Sequence, residues 1–152
     1  FDEQGDAVAA NSSASLCGIP ENASLVKATL IWMGSLGPDG KPDDSVKLQP
    51  PQGVATVVKA KESDLAQTQY DGKDVNDNPA TFKYYTYRVD VTDILRVHSV
   101  TNRLPLNGEY SISDYQGFAD EPYRLMKAAL GGWSIFIVYS VPSANPNWPY
   151  SS

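Results

Sequence analysis

The sequence predicts an all-β fold, an antiparallel β-sandwich of jelly-roll character with one or two short helical turns. Three observations predict it. Short runs of β-branched and aromatic residues recur along the chain, clusters of Gly, Pro, Asn and Asp separate them, and no helical pattern is long enough to organise a core. Branched and aromatic side chains fit the pleated, half-buried surface of a strand, whereas the separators supply preset or positive φ and local hydrogen bonds in turns.

Taken in order, strands are expected in "SLVKATLIWMGS" (24 to 35), "DSVKLQ" (44 to 49), "GVATVVKA" (53 to 60), "TFKYYTYRVDV" (81 to 91) and "GEYSISDY" (108 to 115). The separators "GPDGKPDD", "QPPQG", "YDGKDVNDNP" and "PLNG" read as turns. The last run, "GGWSIFIVYSV" (131 to 141), is the most apolar of all. A membrane-spanning helix needs about 20 apolar residues, and Pro142 ends this run well short of that. It therefore reads as a strand, with Trp133, Ile135, Ile137, Tyr139 and Val141 on one face and Ser134, Phe136, Val138 and Ser140 on the other. Apolar residues on both faces predict a central position in the sandwich. Helix is confined to "VTDILRV" (91 to 97), with Thr92 as its cap, and to a short connector in "DEPYRLMKAAL" (120 to 130).

A chain of 152 residues, 41% hydrophobic and 20% charged, suffices for one domain with a sizeable core. Residues 19 to 141 form the expected sandwich. Residues 1 to 18 are small and polar and read as a flexible arm; residues 142 to 152 form a Pro-rich tail. Trp148 and Tyr150 in that tail are costly to leave bare, so it is expected to dock on its own domain or on a neighbouring chain, with a plain linker as the alternative. The chain opens on Phe1, which is compatible with removal of a leader. A net charge of −6, with 12 scattered Lys and Arg, disfavours nucleic acid and anionic membrane surfaces as partners.

Reactive groups are few. One His and one Cys cannot assemble a structural zinc site within the chain, and no phosphate loop, dinucleotide fingerprint, nucleophile elbow or zinc-protease helix is present. His98 reads as a surface or capping residue and Cys17 as a buried, unreactive thiol beside the first strand, with an intermolecular disulfide as the alternative. The acidic turns are better candidates. Asp71, Asp74, Asn76 and Asp77, with Asn78 close by, offer the hard oxygens that calcium takes, and Asp39, Asp43 and Asp44 form a second group. Neither spacing is that of an EF-hand, and solvated turn residues account for both without a metal.

Aromatic side chains are the other surface resource. Tyr85, Tyr87, Val89 and Val91 alternate on one face and read as core, which leaves Phe82, Tyr84 and Thr86 on the opposite face. If that face is open, Tyr84 joins Trp148 and Tyr150 as a partner-binding side chain, and if a second sheet or a neighbour covers it, Tyr84 is packing; Tyr110, Tyr115, Phe118 and Tyr123 add to the aromatic inventory. Asn11 and Asn22 stand in glycosylation triplets.

Several short segments carry a resemblance. Ala28, Leu30, Trp32 and Gly34 form an A-x-L-x-W-x-G strand; Asp90, Val91 and Thr92 a "DVT" turn; Gly108 and Tyr110 a G-x-Y strand; and Gly131, Gly132, Trp133 and Tyr139 a "GGW" strand. In this order the chain resembles secreted bacterial surface modules found in adhesin-like proteins, over residues 17 to 141. The resemblance implies an extracellular module without established catalysis, and it supplies no active-site residues. Members of that group usually continue past the "GGW" strand with further strands, where this chain turns Pro-rich. Residues 1 to 16 of a neighbouring subunit are one expected source of a missing strand.

Three functional classes follow. The first is a non-catalytic structural or adhesive module of a cell-surface protein or filament, whose partners are protein subunits of the same or a related assembly. The second is a carbohydrate-binding or calcium-assisted adhesin domain. The third is a fragment of a secreted hydrolase using carboxylates such as Asp90 and Asp114.

Overall fold

The computed structural model describes residues 11–37, 40–115 and 130–142, and 55% of these are in strands. The strands are β1 (Ser12–Leu16), β2 (Ser24–Leu36), β3 (Ser45–Gln49), β4 (Thr56–Lys59), β5 (Leu65–Lys73), β6 (Pro79–Asp90), β7 (Gly108–Ser113) and β8 (Gly131–Ser140). They form two four-stranded antiparallel sheets. The first has the order β1-β7-β3-β4 and the second β5-β6-β2-β8. The expected all-β sandwich is therefore the fold.

The alternation read from the sequence sets the core. Ala28, Leu30 and Trp32 of β2 and Tyr85, Tyr87 and Val89 of β6 face inward from the second sheet. Val46 and Leu48 of β3 and Tyr110 and Ile112 of β7 meet them from the first. Burying each large apolar side chain favours folding by about 1.5–3 kcal/mol. Trp32 anchors the centre: its ring lies 5.3 Å from that of Tyr87, and its indole Nε1 donates to the Asp43 carbonyl at 2.8 Å. The tyrosine hydroxyls are satisfied as well. Tyr110 donates to the Leu106 carbonyl and Tyr115 to the Met33 carbonyl, both at 2.7 Å. Among the described residues no buried side-chain polar atom lacks a hydrogen bond.

Between β6 and β7 the chain makes α1 (Thr92–Arg96), continued by a wide turn of π type over Val97–Thr101. Thr92 is not its cap. The cap position is Val91, while the Thr92 hydroxyl accepts the Ala28 N–H at 2.9 Å and so ties the helix to β2. Asp90 takes over the capping work, accepting the Thr92 N–H at 2.8 Å.

Several expectations are revised. The "GGW" strand is not central: β8 is an edge of the second sheet, hydrogen-bonded among the described residues to β2 alone. Its Trp133, Ile135 and Ile137 pack half-buried against the core, but Ser134, Phe136, Val138 and Ser140 point away from it and are exposed. A continuous apolar run does not distinguish a strand covered on both faces from an edge strand with a greasy outer face, and here the second is realised. Part of the supposed flexible arm is β1, which pairs with β7 of its own chain from Ser12↔Ile112 to Leu16↔Gly108. That segment completes its own sheet. The whole of β5 lies outside the expected strands, and its end, from Tyr70 to Lys73, falls in the expected turn. Most of the connector expected over 120 to 130, and the tail beyond Pro142, lie outside the described residues.

Candidate functional site

Among the described residues, β8 and the neighbouring β2 carry an exposed apolar face. Register fixes who stands beside whom on the outer face: Val138 beside Lys27, Phe136 beside Thr29, Ser134 beside Ile31, and Gly132 beside Met33. Across β2 the same rows continue into β6, with Asp90 beside Thr29, Arg88 beside Ile31 and Thr86 beside Met33. Phe136 is 58% exposed and Val138 54% exposed. Val26, at the irregularity in β2 between Leu25 and Lys27, and Tyr139 and Val141 near the end of β8 are exposed too. β8 carries ten residues without a charge or a proline.

The other three sheet edges among the described residues are defended. β1 has five residues, four of them exposed Ser or Ala, and β4 has four residues ending in Lys59. β5 is long but polar, with Asp71 and Lys73 near its end. Short length and charge are the usual means by which a sheet edge avoids pairing with another chain, and β8 uses neither.

A second exposed feature adjoins the acidic β5–β6 hairpin. Tyr70 is 65% exposed and stacks at 6.3 Å on Phe82, which is itself buried on the outer face. In the hairpin, Asp74 organises the turn: its Oδ1 accepts the N–H groups of Asn76 at 2.8 Å and Asn78 at 3.0 Å. These hydrogen bonds, that from the Asn78 main chain foremost, hold the Asp74 carboxyl below the usual carboxylate range. Asp77, at φ 67°, pairs with Lys73 at 2.8 Å, and Asp71 accepts the Thr81 hydroxyl at 2.8 Å. Each of these three carboxylates thus has a protein partner within the hairpin. Among the described residues no three His, Cys, Asp or Glu side chains converge as metal ligands.

The remaining candidates are dispersed. Asp43 and Asp44 flank the start of β3, where Asp43 accepts the Ser45 N–H and Asp44 faces Lys59 at 4.0 Å; Asp39 lies outside the described residues. Asp114 pairs with Lys47 at 2.7 Å beside the first sheet, whereas Asp90 closes β6 of the second. Hydrogen bonds from Thr92, side chain first and main chain next, lower the Asp90 pKa.

His98 is not a surface residue. It is 4% exposed, and its Nε2 lies 2.8 Å from the Pro105 carbonyl, which can only accept, so that nitrogen carries the proton. The ring fastens the loop after α1 and faces Gly53 on its other side. Cys17 is exposed rather than buried, because it follows the last residue of an edge strand.

Tyr84 is half-buried on the outer face, in register with Ser35 and Thr68. Trp148, Tyr150, Phe118 and Tyr123 lie outside the described residues. Tyr110 and Tyr115, counted with the surface aromatics in the sequence, belong to the core. Asn11 and Asn22 are both exposed.

Sequence reasoning missed Tyr70 because it placed that residue at the head of a turn, and it missed the bare face of β8 because periodicity carries no record of strand order. No family model, no curated protein and no solved structure matches the chain.

Proposed function

We propose that this chain is a non-catalytic structural or adhesive module of a bacterial surface protein or filament, which joins its partner by strand addition at β8. One observation carries the reading: β8 is a ten-residue edge free of charge and proline that carries the exposed Phe136 and Val138 on its outer face. An added strand gains main-chain hydrogen bonds along such an edge, and these apolar side chains supply buried area. The resemblance to secreted adhesin-like modules supports an extracellular setting. Attachment of coated beads to surface-protein subunits and to cells tests the reading, comparing the wild-type chain with F136K/V138K. The wild type is expected to attach and the variant to lose attachment; equal attachment by both would overturn the proposal.

Carbohydrate binding is a second reading, favoured by Tyr70, an exposed ring beside a polar hairpin. A sugar face stacks on such a ring while carboxylates and amides take its hydroxyls. A glycan array comparing the wild type with Tyr70→Ala tests it. Identical profiles for the two proteins would remove Tyr70 from the account.

A further inference from the structure

Building on the reading of β8 as a binding edge, we propose that its occupant is β8 of a second copy of this chain, paired antiparallel about a two-fold axis beside Ile137. The basis is the self-complementarity of "SIFIVYS". In an antiparallel pair related by a two-fold axis, a residue n positions before the centre stands opposite the partner's residue n positions after it. Centred on Ile137, the outer face then sets Phe136 against the partner's Val138 and Ser134 against the partner's Ser140. On the inner face Ile137 meets its own counterpart, and Ile135 meets the partner's Tyr139.

Each contact belongs to a favoured cross-strand class: aromatic on β-branched, hydroxyl on hydroxyl, or branched on branched. Moving the centre by one residue in either direction breaks this matching. Centred on Phe136, Ser134 faces Val138; centred on Val138, Phe136 faces Ser140. No like charges meet in the chosen register, because β8 carries none, although the chain as a whole has a net charge of −6. Charge repulsion between two copies is therefore kept off this edge. The product is one continuous eight-stranded sheet, β5-β6-β2-β8 joined to its symmetry mate, with the exposed Phe136 and Val138 of both copies forming one cluster.

Sedimentation equilibrium of the full chain, up to millimolar concentration, tests the proposal with two double variants at these exposed positions. F136K/V138K sets Lys opposite Lys twice and is expected to raise the dimer dissociation constant about 100-fold, since two favoured pairs become two repelling ones. F136K/V138E sets Lys opposite Glu twice and is expected to recover most of that loss. Circular dichroism confirms that both variants are folded. Disulfide trapping in a C17S background reads the register directly: S134C mixed with S140C is expected to give crosslinked dimers, and either variant alone is not. A wild-type chain that stays monomeric at millimolar concentration overturns the proposal, as do equal effects of the two double variants or crosslinking of S134C to itself. If the chain is monomeric yet the beads still attach through β8, only self-pairing fails. Loss of both results removes the binding edge altogether.

Discussion

Gly34 offers the sharpest check on the packing. A β-carbon there would lie 2.5 Å from the Tyr115 hydroxyl oxygen, 2.8 Å from Tyr85 Cε1 and 2.9 Å from the Tyr85 hydroxyl oxygen. All three distances are well inside ordinary contact, and the rings they belong to are buried. Tyr115 cannot retreat freely, because its hydroxyl donates to the carbonyl of Met33, the residue preceding the glycine. Gly34→Ala therefore overpacks the core, at a cost of about 1–3 kcal/mol, and loosens one hydrogen bond worth about 1 kcal/mol. Relief of glycine's backbone entropy in a strand returns about 0.5–1 kcal/mol. The net expectation is a loss of about 2 kcal/mol, which lowers the urea midpoint by roughly 1 M at an unchanged slope. Tryptophan fluorescence during urea unfolding measures it. Tyr115→Phe removes the nearest atom, so the double variant should lose at least about 0.5 kcal/mol less than the sum of the singles. An unchanged or raised midpoint for Gly34→Ala would refute the argument.

Other outcomes follow from the same contacts. Trp32→Phe removes the Nε1 bond to the Asp43 carbonyl and leaves a void against Tyr87, and is expected to cost about 2–3 kcal/mol in the same urea assay. Burial, first among the causes, raises the Tyr115 pKa to about 12, and burial likewise raises those of Tyr85 and Tyr110. The neutral hydroxyls thus contribute stability that is complete below the unfolded value of 10.0 and is lost as pH rises above it, so the tyrosinate absorbance of these three buried rings is expected to appear together with unfolding in an alkaline titration. Asp90 behaves in the opposite sense. Its lowered pKa contributes stability above the unfolded value of 3.8 that is lost as pH falls through the folded one, and Asp90→Asn should flatten the acid limb of the stability curve. Cys17 should react with a thiol reagent in the native protein about as fast as in the urea-unfolded chain, and marked protection would contradict its exposed placement.

The strands that were legible in the sequence are those whose alternation is enforced by burial. β2 and β6 present Ala28, Leu30 and Trp32, and Tyr85, Tyr87 and Val89, to one side, and both were read to within a residue or two at each end. β1 and β5 escaped because they are polar edge strands held by main-chain pairing, with side chains that carry little record of a buried face. For β8 the type was legible and the position was not. Its apolar outer face comes from Phe136 and Val138, and only pairing partners, which no local pattern contains, determine whether anything lies over them. The turn over Asp74 to Asn78 is legible in its composition, while the direction of its hydrogen bonds, inward to the turn, depends on main-chain geometry such as the positive φ of Asp77.

The tyrosine hydroxyls fastened to the Leu106 and Met33 carbonyls, and the His98 ring fastened to Pro105, do by hydrogen bonding what cystine bridges do in many exported folds. With a single sulfhydryl in 152 residues, the sandwich has no covalent staple of its own to lose. Its melting point should accordingly be indifferent to dithiothreitol, and the same architecture can stand in reducing or oxidising surroundings.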